Sequence, residues 1–357
     1  MVSSIVTGYG PSFDGYNLSN GFHPLWMILL LPIYYLTDNN TELALQLIFT
    51  LQVILGVFTY WFCWVYVSRV LSPYYGVLSL VILIVFASPI LILFNGLESG
   101  LLLFWLFAIL LIDYRYQLYN NASSANVIIT GILFGLLFIT RLDTAYIIIA
   151  FAILKLVDKK SLVSYAAHVY GLLLRYYPAI IIFSLISAPY FIWNYSVFGH
   201  LTPISGQIKS SFPYLHLNFN LHAGALPYTL TFLFANLWIL VELLFFRSRQ
   251  GTFLKRHSAL VGVYWLGSLI HFIWSSLFMQ CAVFQWHFTA YIPLLVLFSV
   301  HVIEVILAKY KIAGFKFSAA VIVPVLSILY TLIVYIDKGD HLSLRILANV
   351  NTHSGSW

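Results

Sequence analysis

Apolar runs of membrane-crossing length follow one another along almost the whole chain, separated by short polar junctions. A hydrocarbon core about 30 Å thick takes roughly 20 apolar residues per helix, fewer where a helix is only partly immersed. On that ruler, spans fall near 24–37, 43–70, 99–112, 125–140, 144–157, 176–196, 226–246, 258–279, 287–307 and 315–336. A further apolar segment, 76–95, is interrupted by Ser88-Pro89. Charged residues make up 8% of the chain, against about 25% in soluble domains, too few to coat a water-facing surface. The expected fold is therefore all-α, a polytopic membrane bundle of about 10 spans plus one re-entrant or broken segment. It reads as one transmembrane domain over 1–357: an outer N-terminal segment 1–23, membrane helices over 24–336, a short polar tail 337–357, and no soluble domain.

The net charge of +6 does not indicate nucleic acid, because the basic residues crowd into short loops between apolar runs. Lys155, Lys159, Lys160 and Arg175 flank one such loop; Arg247, Arg249, Lys255 and Arg256 another; Lys309, Lys311 and Lys316 a third. The positive-inside rule makes these cytoplasmic. Counting spans then puts 96–99, 140–144, 197–225 and 280–286 outside. If 76–95 turns back at Ser88-Pro89 rather than crossing, the N-terminal segment lies outside as well, and the unusual polar residues share one face. Non-helical backbone at depth is tolerated where protein buries it. Cys63 and Cys281 sit in apolar surroundings without metal-ligand spacing, and read as inert packing residues. Residues 1–22 carry no basic region and no apolar core, so no signal peptide is expected before the first span.

Five polar clusters meet at this expected outer face: Asp14 to His23, Asn95 to Ser99, Thr140 to Asp143, Pro203 to Lys209, and Gln285-Trp286-His287. Ionisable groups at span ends are costly and mark candidate sites. Each also has a plain structural reading. Glu98 suits a helix N-terminus, where the dipole favours a carboxylate. Arg141 and Asp143 can pair with each other, or Arg141 can snorkel. His23, next to Pro24, can be an ordinary interfacial histidine, and His287 beside Trp286 can belong to the aromatic belt. His301 and Glu304, one turn apart, read as a structural hydrogen bond. Lys209 is the sharpest candidate, the only basic residue in a long outer loop, preceded by a Ser205-Gly206 turn suited to holding a phosphate.

The string Ser12-Phe13-Asp14-Gly15 followed by Ser19-Asn20-Gly21-Phe22-His23-Pro24-Leu25-Trp26 resembles the signature of polytopic GT-C superfamily glycosyltransferases, relatives of protein mannosyltransferases and lipid-linked-sugar transferases. Gly96-Leu97-Glu98-Ser99, Thr140-Arg141-Leu142-Asp143, Pro203-Ile204-Ser205-Gly206-Gln207-Ile208-Lys209 and Trp286-His287-Phe288 resemble the same group, in the expected order. The resemblance implies a sugar on polyprenyl phosphate as donor, taken from the bilayer and transferred with inversion to a glycan, lipid or protein acceptor at the outer face of the cell membrane. Asp14, Glu98 and Asp143 are the candidate catalytic carboxylates; Arg141 and Lys209 are candidate phosphate clamps; Asn20, His23 and His287 would bind the donor. No cofactor is implied and no metal cluster is evident, although carboxylates can hold a divalent cation.

In that superfamily the catalytic acid usually follows an initial membrane helix, and this chain begins after the place where both would stand. The expectation is a chain lacking that helix and loop, with a chain using Asp14 instead, or an inactive one, as alternatives. Two other classes stand beside the transferase: a non-catalytic partner that binds the lipid-linked sugar, and a lipid-linked-sugar transporter. The transporter reading lacks the broken helices in matching halves that such folds often show.

Overall fold

The computed structural model describes residues 1–86, 96–158, 165–218, 226–245, 252–281 and 285–309. The break at Ser88-Pro89, the loop lysines 159 and 160, Arg247, Arg249, Lys311, Lys316, the expected span 315–336 and the tail lie outside these residues, as does Asn95. Among the described residues every long element is helical, and β-pairing is confined to two isolated bridges. The helices are α1 (Val2–Val6), α2 (Pro24–Leu36), α3 (Thr41–Val70), α4 (Pro73–Phe86), α5 (Ser99–Tyr116), α6 (Ser124–Thr140) and α7 (Ala145–Val157). They continue as α8 (Tyr165–Phe198), α9 (Ile204–Lys209), α10 (Leu226–Phe245), α11 (Phe253–Arg256), α12 (Ala259–Phe278) and α13 (Ile292–Lys309).

Local chemistry sets the starts. Pro24 opens α2, where a missing N–H costs nothing. The Asn40 side chain accepts from the Leu43 N–H to cap α3, and Ser123 caps α6 through the Asn126 N–H. Among the described residues six stretches are long and apolar enough to cross a membrane: α3, α5, α8, α12, Tyr228–Phe245 in α10, and Trp286–Ala308, which joins a 3-10 turn to α13. Helices α2, α4 and α6 are apolar but shorter. The chain is thus an all-helical membrane protein by its apolar helices.

Burial sorts centre from rim. The apolar window of Trp286–Ala308 is 67% buried and that of α5 61%, while that of α8 is only 6% buried. The main core accordingly centres on Leu102 to Leu110 of α5 and Leu294 to Val300 of α13, with α3, α4, α10 and α12 around them. A second cluster, with Trp26, Met27, Leu30, Ile48, Leu55 and Leu101, seats α2 against α3 and α5.

Without a hydrophobic force between helices in lipid, close approach falls to small residues. A Cβ on Gly131 of α6 would stand 2.8 Å from the Ala179 Cα and 2.7 Å from its carbonyl oxygen on α8. These are backbone atoms and cannot swing aside. Gly131→Ala is therefore expected to lower the melting temperature in detergent. The overpacking cost of about 1–3 kcal/mol outweighs a helix-propensity gain of about 1 kcal/mol. Gly262→Ala on α12, which meets nothing within 4 Å, keeps the propensity gain and should raise it. Equal melting of the two variants would show that α6 and α8 are not in backbone contact.

Candidate functional site

The Glu98 carboxylate is placed by a turn held from two sides. Gly96 adopts φ +77°, a conformation costly for any side chain. Its carbonyl accepts from the Trp26 Nε1–H of α2 at 3.1 Å. Gln52 of α3 reads the same turn twice, donating to the Leu97 carbonyl at 3.0 Å and accepting from the Gly96 N–H at 3.2 Å. Glu98 follows at the N-cap of α5, buried, where the helix dipole favours a carboxylate but no side-chain bond caps the first turn.

Arg141 closes α6 in extended backbone, which ends the helix and lets its side chain run back into the bundle. The guanidinium is 4% exposed, and every arm is used. Nη2 and Nε donate to the two oxygens of Asp143 at 2.5 and 3.2 Å, and Nη1 donates to the Trp286 carbonyl at 2.7 Å. Glu98 Oε1 lies 3.8 Å from Nε. On the other side of Glu98, His23 Nε2 approaches Oε1 to 3.3 Å, with 39% of the His23 side chain still accessible. Burial pushes the His23 ring pKa down, against the pull of Glu98, so the imidazole is neutral at pH 7. Burial pushes the Asp143 carboxyl up, but Arg141 and then His271 pull it down further, to about 2.

Asn20 stitches a third element to this cluster. Its carbonyl accepts from the Tyr190 hydroxyl of α8 at 3.1 Å, and its Oδ1 accepts from the Ile204 N–H that opens α9 at 3.1 Å. Phe22 packs against the rings of Tyr190 and Trp193, with centroids 5.8 and 5.6 Å away. Helix α9 is thereby brought over the His23 end. Lys209, exposed at the close of α9, is near enough that its charge helps lower the His23 pKa. Three buried polar atoms here have no hydrogen-bond partner: Asn20 Nδ2, His23 Nδ1 and Ser99 Oγ.

Of the residues singled out in the sequence, Asn20, His23, Glu98, Arg141 and Asp143 are thus gathered together, with Lys209 beside His23. Asp14 behaves differently. It is fully exposed, and its carboxylate accepts from the Ser12 hydroxyl, the Tyr16 and Asn17 N–H groups and the Asn17 amide, all within its own loop. These bonds, led by the Asn17 N–H, hold its pKa well below the carboxylate range. None of them reaches Glu98. The His287 ring lies tilted against Trp286, centroids 5.9 Å apart, and borders a cavity of about 20 Å³ shared with Asn218, His271 and Tyr291. That is room for about one water, not for a donor.

The sequence reading passed over His271, Tyr291 and Gln52. His271 of α12 stands 4.0 Å from Asp143 Oδ2 through Nε2 and 2.9 Å from the Tyr291 hydroxyl through Nδ1, with Tyr146 stacked on its ring at 5.0 Å. An intramembrane histidine is itself a signal, and it could have been found. His301 does not pair with Glu304: its Nε2 lies 3.2 Å from Glu242 of α10, whose carboxylate also accepts from Trp238 Nε1 and the Phe253 N–H. Among the described residues no three His, Cys, Asp or Glu side chains are grouped to hold a metal ion.

Compared with protein-family models, with curated proteins and with solved structures, the chain matches none of them.

Proposed function

We propose that this chain is the membrane part of a glycosyltransferase that moves a sugar from a polyprenyl-phosphate donor to an acceptor hydroxyl, with inversion, at the outer face of a cell membrane. The reading includes about 10 spans and a broken segment at 76–95. The observation that carries it is a buried carboxylate, Glu98, 3.3 Å from a neutral and partly accessible His23, with Lys209 near enough for its charge to act on that ring. That juxtaposition supplies a proton acceptor and an anion-binding group at one place, which is what the reaction needs. The acceptor oxygen attacks the anomeric carbon, and the bond from that carbon to the phosphate oxygen breaks. Polyprenyl phosphate leaves with the electron pair, and the hydroxyl proton passes to the His23–Glu98 pair.

The geometry redistributes the roles that resemblance assigned. Arg141 donates to Asp143 and Trp286 and lies 3.8 Å from Glu98, so in this reading it holds Glu98 in place while the exposed Lys209 binds the phosphate. Asp143 is neutralised by Arg141. The buried Asn20 Nδ2 and His23 Nδ1 have no hydrogen-bond partner, and in this reading they meet sugar hydroxyls when the donor enters.

A second reading, a binding partner without catalysis, is favoured by the pairing of Asp14 and Asp143 with local partners. Both readings are tested with the chain reconstituted in liposomes carrying undecaprenyl-phosphate sugars, following donor binding and transfer of radiolabelled sugar. Transfer supports the enzyme; binding without transfer supports the partner; neither overturns both. Lys209→Ala is expected to weaken donor binding about tenfold, the size of one charge-assisted hydrogen bond.

A further inference from the structure

An apolar groove of about 280 Å³ runs between α6, α7 and α8. Its walls include Phe134, Ile148, Phe151, Leu172 and Phe183. It opens at the surface of the bundle, where the lining residues Leu173 and Ile180 are half exposed. One cation borders it. The Lys155 ammonium lies 3.8 Å from the centre of the Tyr119 ring and within 6 Å of the Phe151 and Tyr176 rings, and donates to the Tyr119 carbonyl. Beside it, the Tyr176 hydroxyl is buried with no hydrogen-bond partner, although Tyr176 lines the groove.

We infer that this groove binds an anionic phospholipid, with the phosphate at Lys155 and Tyr176 and one acyl chain along the apolar walls. Three observations lead there. The head end offers a positive charge and an unused hydroxyl donor, which together suit a phosphate oxygen. The rest of the groove is apolar apart from Thr130, so its occupant beyond the head is a hydrocarbon. Its length also fits. From Lys155 back to Ile148 on α7, and from Tyr176 to Phe183 on α8, the helices rise about 10 Å, most of the ~15 Å that one leaflet contributes to a hydrocarbon core. Lys155, in the last turn of α7, also flanks a lysine-bearing junction of the sequence, and such junctions face the leaflet that carries anionic lipid. The inference is independent of the proposed sugar transfer.

The test uses the full chain in nanodiscs of equal phosphatidylglycerol and phosphatidylcholine, released into detergent, with retained lipid counted by native mass spectrometry. Phosphatidylglycerol should be enriched on the wild type and reduced about fivefold in Lys155→Gln, the effect of one basic residue at an anionic surface. Ala152→Trp, which fills the groove from an exposed position and leaves the Lys155 charge in the chain, should also displace the lipid. Leu185→Trp, exposed on α8 and outside the groove, should retain it. Equal retention of the two lipids on the wild type, or undiminished phosphatidylglycerol on Ala152→Trp, overturns the inference.

Discussion

Replacing Arg141 with alanine is expected to cost about 3–5 kcal/mol of stability, among the largest losses available to a single substitution in this chain. The reason is what the change leaves behind rather than the contact it removes. Asp143 loses both of its bonds from the guanidinium, and Glu98, 5% exposed, loses its nearest cation. The Trp286 carbonyl loses its donor as well. An uncompensated buried carboxylate costs several kcal/mol, more than a well-made buried ion pair contributes. Lysine should not rescue it, because an ammonium cannot reproduce the fork that meets both Asp143 oxygens. The double variant Arg141→Met with Asp143→Leu should recover part of the loss, since it removes charge of both signs together. Thermal unfolding in detergent checks all three. A melting temperature for Arg141→Ala equal to that of the wild type would mean that the guanidinium does not hold this cluster together.

The same residues show how much of the molecule could be read beforehand. Helices were legible where an apolar run ends in a sharp polar junction. Expected segments 43–70, 226–246 and 258–279 match α3, α10 and α12 to within two residues at either end. The α8 helix was read as beginning at 176, just after Arg175, whereas the helix begins at Tyr165. A helix at the rim of a bundle tolerates an arginine, whose stem is apolar and whose head can reach the membrane surface. The short helices α1, α9 and α11 were missed, as none carries an apolar run.

For the candidate site, polar residues at span ends were a usable signal, because each such group has to be satisfied by something. That brought Asn20, His23, Glu98, Arg141 and Asp143 onto one list before their contacts were known. What sequence spacing could not provide was the choice of partner. His301 sits one turn from Glu304, yet Glu242 on another helix takes its Nε2. Asp14 lies in the most distinctive string of the chain, yet its carboxylate is consumed by its own loop, as short acidic side chains in turns often are. Gln52 and His271 lie inside apolar helices rather than at span ends, and only packing reveals that the first serves a turn and the second a carboxylate.

The contrast between the two buried or looped acids gives the sharpest functional prediction, which rests on the proposed transfer reaction. Glu98→Gln keeps the shape of the side chain and removes its capacity to take a proton. Sugar transfer should fall by about 10²–10⁴, the usual contribution of a general base, while donor binding changes little. His23→Ala should fall in the same direction, because the contact between His23 and Glu98 lies on the proton's route. Asp14→Ala should leave transfer near the wild-type rate, since no bond of Asp14 leaves residues 12–17. The measurement is single-turnover transfer of radiolabelled sugar at saturating donor, which separates the chemical step from binding. The reverse pattern, with Asp14→Ala inactive and Glu98→Gln active, would move the catalytic carboxylate to the N-terminal loop. Glu98 would then be a structural partner of Arg141, held at 3.8 Å for stability alone.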